Sequence, residues 1–256
     1  MTRLTNLQLT RAGVAGTISP DIWRLSLLQT LELGLNNLSG TVPSEIGGLT
    51  ALQSLRLNHN YLVGSIPTEI SMCTDLTGLT MMENAWTGTL PSEIGLLRNL
   101  QAISFDKSNL TGTLPVEISQ LSYLETLKLS NSFISGAIPA EYTLLRNLKE
   151  LRVDGSMIDG TIPIDLLSSL PYLEAFGAGS QLTGSIPPTI GILTGLKQLY
   201  LDSNKLSGSL PSEIGLMSNL RTLSLADNML TSTIPSEFGN LNSLSKFETL
   251  ICVSWY

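Results

Sequence analysis

The chain is short of charge, aromatics and the residues that ligate metals. Of its 256 residues only 14% are charged and 5% aromatic, with one histidine and two cysteines. One histidine and two cysteines exclude most zinc sites and any dense disulfide framework. No apolar run approaches the about 18 residues that a membrane span requires, so no such span is expected. MTRLTNLQLT lacks the apolar core of a secretory signal and reads as folded protein. Lys and Arg are too few to build a phosphate-binding surface: the net charge is −7 and the pI about 4.7, so nucleic acid is not an expected partner. Leu and Ile are plentiful and hydrophobic residues reach 42%, enough for a continuous core.

Proline marks the organisation. Pro43, Pro67, Pro91, Pro115, Pro139, Pro163, Pro187, Pro211 and Pro235 are each 24 residues apart, and a period in the twenties is the signature of a solenoid. Gly lies three residues before each proline except Pro235, where Ser232 stands, and Thr or Ser lies two before, except Ala137 before Pro139. Asn or Ser lies seven before (Asn36, Asn60, Asn84, Ser108, Ser132), preceded by an L-x-x-L-x-L run such as Leu52, Leu55 and Leu57. The L-x-L alternation predicts a short strand with its leucines inward. The Asn/Ser column suits a turn whose polar side chain pairs with buried backbone groups. Pro fixes φ where the chain bends outward.

Stretches such as LQSLRLNHNYLVGSIPTEI (52–70) and LKQLYLDSNKLSGSLPSEIGLM (196–217) resemble the plant-type leucine-rich repeat, LxxLxLxxNxLxGxIPxxIxxL. About ten copies cover residues 4 to 244. The resemblance implies an α/β solenoid: a right-handed superhelix with a parallel β-sheet on its concave face and short 3-10 or helical turns on its convex face. Residues 1–248 are assigned to the solenoid and 249–256 to a divergent tail or makeshift cap. The chain is already inside a repeat at residue 4 and lacks the family's cysteine-bearing cap, so further chain or a docked neighbour is expected there.

After Pro163 the unit gains one residue, and the strand AFGAGSQL loses one, so that Pro187 returns to register. Gly177 lies in the strand richest in small residues, either a compensated indel or a dip in the concave wall that would admit a partner's side chain. An acid follows two residues after nearly every proline position (Glu45, Glu69, Glu93, Glu117). Ser-Glu at that place reads as the first turn of a short helix, with Ser as cap and Glu favoured by the helix dipole.

No phosphate-binding loop, nucleophile elbow, kinase signature or paired metal ligands occur. Catalysis is therefore not expected, and neither is a cofactor. Cys73 occupies a leucine slot of the core, and Cys252 lies too far along the rod to pair with it. Trp86 fills a core slot as well. The concave residues, by contrast, differ from unit to unit, as a recognition surface should. The candidates for partner binding are Arg56, His59, Lys128, Glu150, Arg152, Asp154, Gln198, Tyr200 and Asp202. Lys128 and Arg152 lie on adjacent strands, either neutralised locally by Glu150 and Asp154 or awaiting an anion. Two sequons, at Asn37 and Asn109, fall on the exposed turn that is commonly glycosylated in plant-type ectodomains. The expected function is non-catalytic recognition of a protein, peptide or glycan, in cell-surface or extracellular signalling or defence, with a co-receptor or cap domain as a further partner. An intracellular (cytoplasmic) interaction scaffold and the ectodomain of a longer receptor kinase are the alternatives.

Overall fold

The computed structural model describes residues 3–231 and 233–248. Eleven strands run in chain order through one parallel sheet, from Asn6–Gln8 to Lys246–Glu248; nine are three residues long, whereas Glu150–Gly160 and Ala175–Leu182 are longer, and Ser135–Gly136 pairs with the former off this path. This is one more strand than the ten L-x-L centres of the repeat pattern. Lys246–Glu248 supplies the eleventh and pairs with Thr222–Ser224. The expected tail, 249–256, lies outside the described residues, as does Cys252.

The 24-residue period is the register of this sheet. Leu31 pairs with Leu55, Leu55 with Leu79, and Leu79 with Ile103. Where the sequence gains and loses a residue, the pairing steps change in the same order. Leu151 faces Phe176, and Phe176 faces Leu199. The extra residue is absorbed on the convex side. There, Ile164–Ser169 forms one turn of α-helix in place of the five-residue 3-10 turns of the other layers, such as Ser44–Gly48 and Ser92–Leu96.

Between sheet and turns lies one continuous core. Leu49, Cys73, Leu97 and Leu121 are fully buried at one position of successive layers, and Trp86 is buried with its indole N–H donating to the Met81 carbonyl (2.7 Å). Burial pushes the Cys73 thiol up to about 11, because a thiolate there would lack solvation.

Where serine follows the proline, it does not cap the turn. Pro43, Pro91 and Pro211 occupy the cap positions, and no side chain bonds there. Ser44, Ser92 and Ser212 lie inside the first turn and donate instead to the neighbouring carboxylates of Glu45, Glu93 and Glu213. Proline has taken the extended entry conformation that a capping serine would otherwise hold.

The Asn/Ser column does what its chemistry suggests. Asn60 Nδ2 donates to the carbonyls of Leu33, Leu57 and Asn58, and its Oδ1 accepts the Leu38 amide (3.0 Å). Asn84 and Asn204 repeat the arrangement. One residue before each of these asparagines the backbone turns left-handed, at Leu35, His59, Glu83 and Ser203. The turn is held by amide bonds to the next layer, such as His59 N to Met82 O (2.9 Å) and Glu83 N to Asp106 O (2.8 Å).

A second, flanking sheet was not foreseen. Ala15–Thr17, Asn37–Gly40, Tyr61–Gly64 and Ala85–Trp86 pair in parallel along one side of the rod.

Replacing Asn60 with alanine orphans the buried Leu38 amide and three carbonyl contacts, an expected loss of about 1–3 kcal/mol. Urea unfolding checks this against Thr50→Ala on the exposed turn, which should change stability by less than about 0.5 kcal/mol.

Candidate concave-face recognition site

Period-2 alternation sends the central residue of each L-x-L strand to the concave surface. The residues just past the strand, around the left-handed turn, line its rim. Four of the nine candidates, Lys128, Glu150, Arg152 and Asp154, meet in one shallow cleft with Glu83, Asp106, Lys107 and Ser130.

The cations in it are tied internally. Lys128 Nζ lies 2.9 Å from Glu150 across adjacent strands. Arg152 donates from Nε (2.5 Å) and Nη2 (2.9 Å) to the two oxygens of Asp154, and both side chains are only 19% exposed. The pairing is bidentate, the stronger form of a guanidinium–carboxylate contact. The Lys128–Arg152 neighbour pair is thus neutralised from within and offers no vacant anion site.

Arg152 also reaches across a whole strand. Its guanidinium carbon lies 3.8 Å from the centre of the Tyr200 ring, although Gly177 stands between them in the sheet, paired with both. Gly177 makes this possible. A Cβ there would lie 2.7 Å from Arg152 Nε and would overlap the Asp154 carboxylate. The space over Gly177, read from sequence as a compensated indel or a dip, is filled by the chain's own ion pair, and the cation–π contact holds Tyr200 against Arg152.

Ser130 links the neighbouring acids. Its amide donates to Asp106 (2.8 Å) and its hydroxyl to Asp154 (3.0 Å), while Ser104 donates to the other Asp106 oxygen (3.2 Å). Burial is the largest influence on Asp106 and pushes its carboxyl up. At the rim, His59 Nδ1 lies 2.8 Å from Glu83, which also takes Lys107 Nζ at 2.7 Å. The Lys107 hydrogen bond is the largest effect holding the Glu83 carboxyl below its usual range. His59 has its acid partner here but no nucleophile joins them, and among the described residues no group of His, Cys, Asp or Glu could hold a metal ion.

The remaining candidates lie outside the cleft. Arg56, largely exposed, faces Glu32 at 3.6 Å. Gln198 lines a separate depression at the sheet's opposite edge with Lys149, Glu174 and Lys197. Asp202 follows the Tyr200 strand and is half-buried. Asn37 and Asn109 are both exposed on the flank. Sequence reasoning passed over Ser104 and Ser130, whose roles depend on side-chain direction. It passed over Gly177 as a seat for Arg152 because a long side chain crossing two strands has no spacing signature.

The chain belongs to the leucine-rich-repeat family. Models described as leucine rich repeat match residues 2–62, 195–217 and 219–241. No curated protein matches at the level of sequence. Among solved structures, a Leptospira interrogans leucine-rich-repeat protein is 32% identical over 98% of this chain and 68% of its own, with a TM-score of 0.73. The Arabidopsis receptor kinase HAESA, solved with the peptide hormone IDA and a co-receptor, is 31% identical over 97% of this chain and 43% of its own, with a TM-score of 0.86. A plant ice-binding protein is 25% identical over 98% of this chain and 84% of its own, with a TM-score of 0.76. The chain spans about a third to a half of the length of the plant receptor structures it matches. The architecture is that of ligand-binding ectodomains, and no helix among the described residues is long and apolar enough to cross a membrane.

Gly177→Ala should cost about 1–3 kcal/mol by overpacking the Arg152–Asp154 pair. A double-mutant cycle of thermal unfolding checks the cause: with Arg152→Ala already present, the same change should cost clearly less.

Proposed function

We propose that the chain is a non-catalytic recognition module that takes a peptide, a protein segment or a glycan on its concave face, in a cell-surface or extracellular setting. One observation carries the reading. Core positions repeat from layer to layer, whereas the concave residues differ, and several converge on a preorganised cleft whose Arg152 lies over the Tyr200 ring. Internal pairing leaves the cleft nearly neutral, so hydrogen bonding and aromatic contact select the partner rather than net charge. The likeness to plant peptide-hormone receptors supports the reading. Screening a displayed random-peptide library and a glycan array against the purified chain tests it. Binders are expected to be lost on Tyr200→Ala and Lys128→Glu. Binders indifferent to both changes would overturn the assignment to this face.

The exposed sequons at Asn37 and Asn109 support the secretory setting. The endogenous protein should exceed the mass of its bare chain and lose that excess on treatment with an N-glycosidase. A mass unchanged by that treatment would favour the intracellular scaffold.

A second reading, ice binding, is favoured by a specific observation. Exposed Thr and Ser side chains recur at the repeat period along the flanking sheet, and the chain covers most of the length of a plant ice-binding protein.

A further inference from the structure

The flank of the rod varies less than the concave face: Ser or Thr fills most positions of two rows, broken by Ala15, Val63, Ala137 and Asp159. Nine successive layers, from Gly16 to Gly208, present a tripeptide centred on a glycine with positive φ, and the side chains before and after the glycine point outward. Thr87-Gly88-Thr89, Thr111-Gly112-Thr113 and Thr183-Gly184-Ser185 are the clearest, and all six hydroxyl side chains are exposed.

Both rows are held in place. In the first row, the hydroxyls of Thr111 and Thr183 each donate to a glycine carbonyl of the preceding layer, Gly88 and Gly160, at 3.1 Å, so their rotamers are set by the backbone. In the second row, each γ-methyl rests on the glycine of the following layer. A Cβ at Gly64 would lie 3.0 Å from the Thr41 methyl, and one at Gly112 would lie 2.7 Å from the Thr89 methyl. Glycine is thus required for this close stacking, and the side chains of Thr41, Thr89 and Thr113 remain exposed. Successive layers lie about 4.8 Å apart on the strand spacing. Among the described residues Asp159 is the only charged side chain in either row.

A surface made mostly of small hydroxyl side chains at a constant step holds little information for an irregular partner. It matches a ligand that is itself periodic and made of hydrogen-bonding sites with apolar gaps. We infer that this flank, and not the concave sheet, is the face that would adsorb to ice, the γ-methyls ordering water between hydroxyls that join its lattice. The inference rests on the ice-binding reading and assigns it a site distinct from the cleft.

Uptake of the purified chain into slowly grown ice, read against a non-binding control protein, tests it. Because Asn109 precedes Thr111 on the flank, the material is made in a host that does not add glycans there. The wild-type chain is expected to concentrate in the ice fraction. Thr89→Lys with Thr113→Lys should lose that enrichment with an unchanged circular-dichroism spectrum, and Tyr200→Ala should keep it. Thr89→Val, which retains the methyl, guards against a folding artefact and should lose less than the lysine pair. A wild-type chain that stays in the liquid like the control overturns the ice-binding reading itself. A wild-type chain that enters ice while the lysine pair enters equally, or while Tyr200→Ala does not, overturns the flank as the site and leaves that reading standing.

Discussion

Asn60 holds four backbone groups belonging to consecutive layers of the rod, and the rest of the architecture depends on that contact and its repeats. The L-x-L strands account for one side of each layer and the 3-10 turns for another. Between them the chain must turn sharply inside an apolar core, where its amides and carbonyls have no water. An unpaired polar group there costs about 1–3 kcal/mol. The side-chain amide supplies both a donor and an acceptor at that place, which serine can do only in part. Ser132 donates to the Leu129 carbonyl and accepts the Ile134 amide at 3.5 Å, both within its own layer, and the buried hydroxyl of Ser108 has no hydrogen-bond partner. In these serine layers the rung makes fewer bonds, and large side chains such as Phe105 and Phe176 are fully buried beside it.

Fixing the layers this firmly leaves two surfaces with different chemistry. On the concave sheet the outward positions are free to vary, and a few of them assemble into a paired, half-buried network whose geometry is set before any ligand arrives. Arg152 gives that network its reach, lying over Gly177 between Asp154 and Tyr200. On the flank, the glycine that admits a left-handed backbone also removes the side chain that would roughen the face. What remains is a regular lattice of hydroxyls and methyls. The same repeat thus produces an irregular surface and a periodic one a few residues apart.

Most of the fold was legible from spacing, because a solenoid converts sequence period directly into strand register. Even the compensated insertion near Pro163 could be read, and only its outcome, the α-turn at Ile164–Ser169, needed coordinates. The site was legible as a set of outward positions but not as a network. Column position says that Arg152 points outward. It does not say that the side chain lies across a neighbouring strand, since that follows from the space left by Gly177 and from rotamer direction. The flanking sheet was missed for a related reason. Its alternation spans only three residues per layer and is interrupted by glycine, so it resembles a turn more than a strand. Serine after proline was read as a cap from propensity alone, and the preset φ of proline overrode it.

Amide hydrogen exchange on the native chain tests the central claim most directly, namely that side-chain rungs rather than strand pairing alone hold the layers together. The amides of Leu38, Leu62 and Leu182 belong to the flank but donate to Asn60, Asn84 and Asn204. They should exchange as slowly as the central residues of the concave strands, such as Leu55 and Leu199. If they exchange at the rate of exposed turn amides while the strand centres stay protected, the rungs do not hold the layers and the account is wrong.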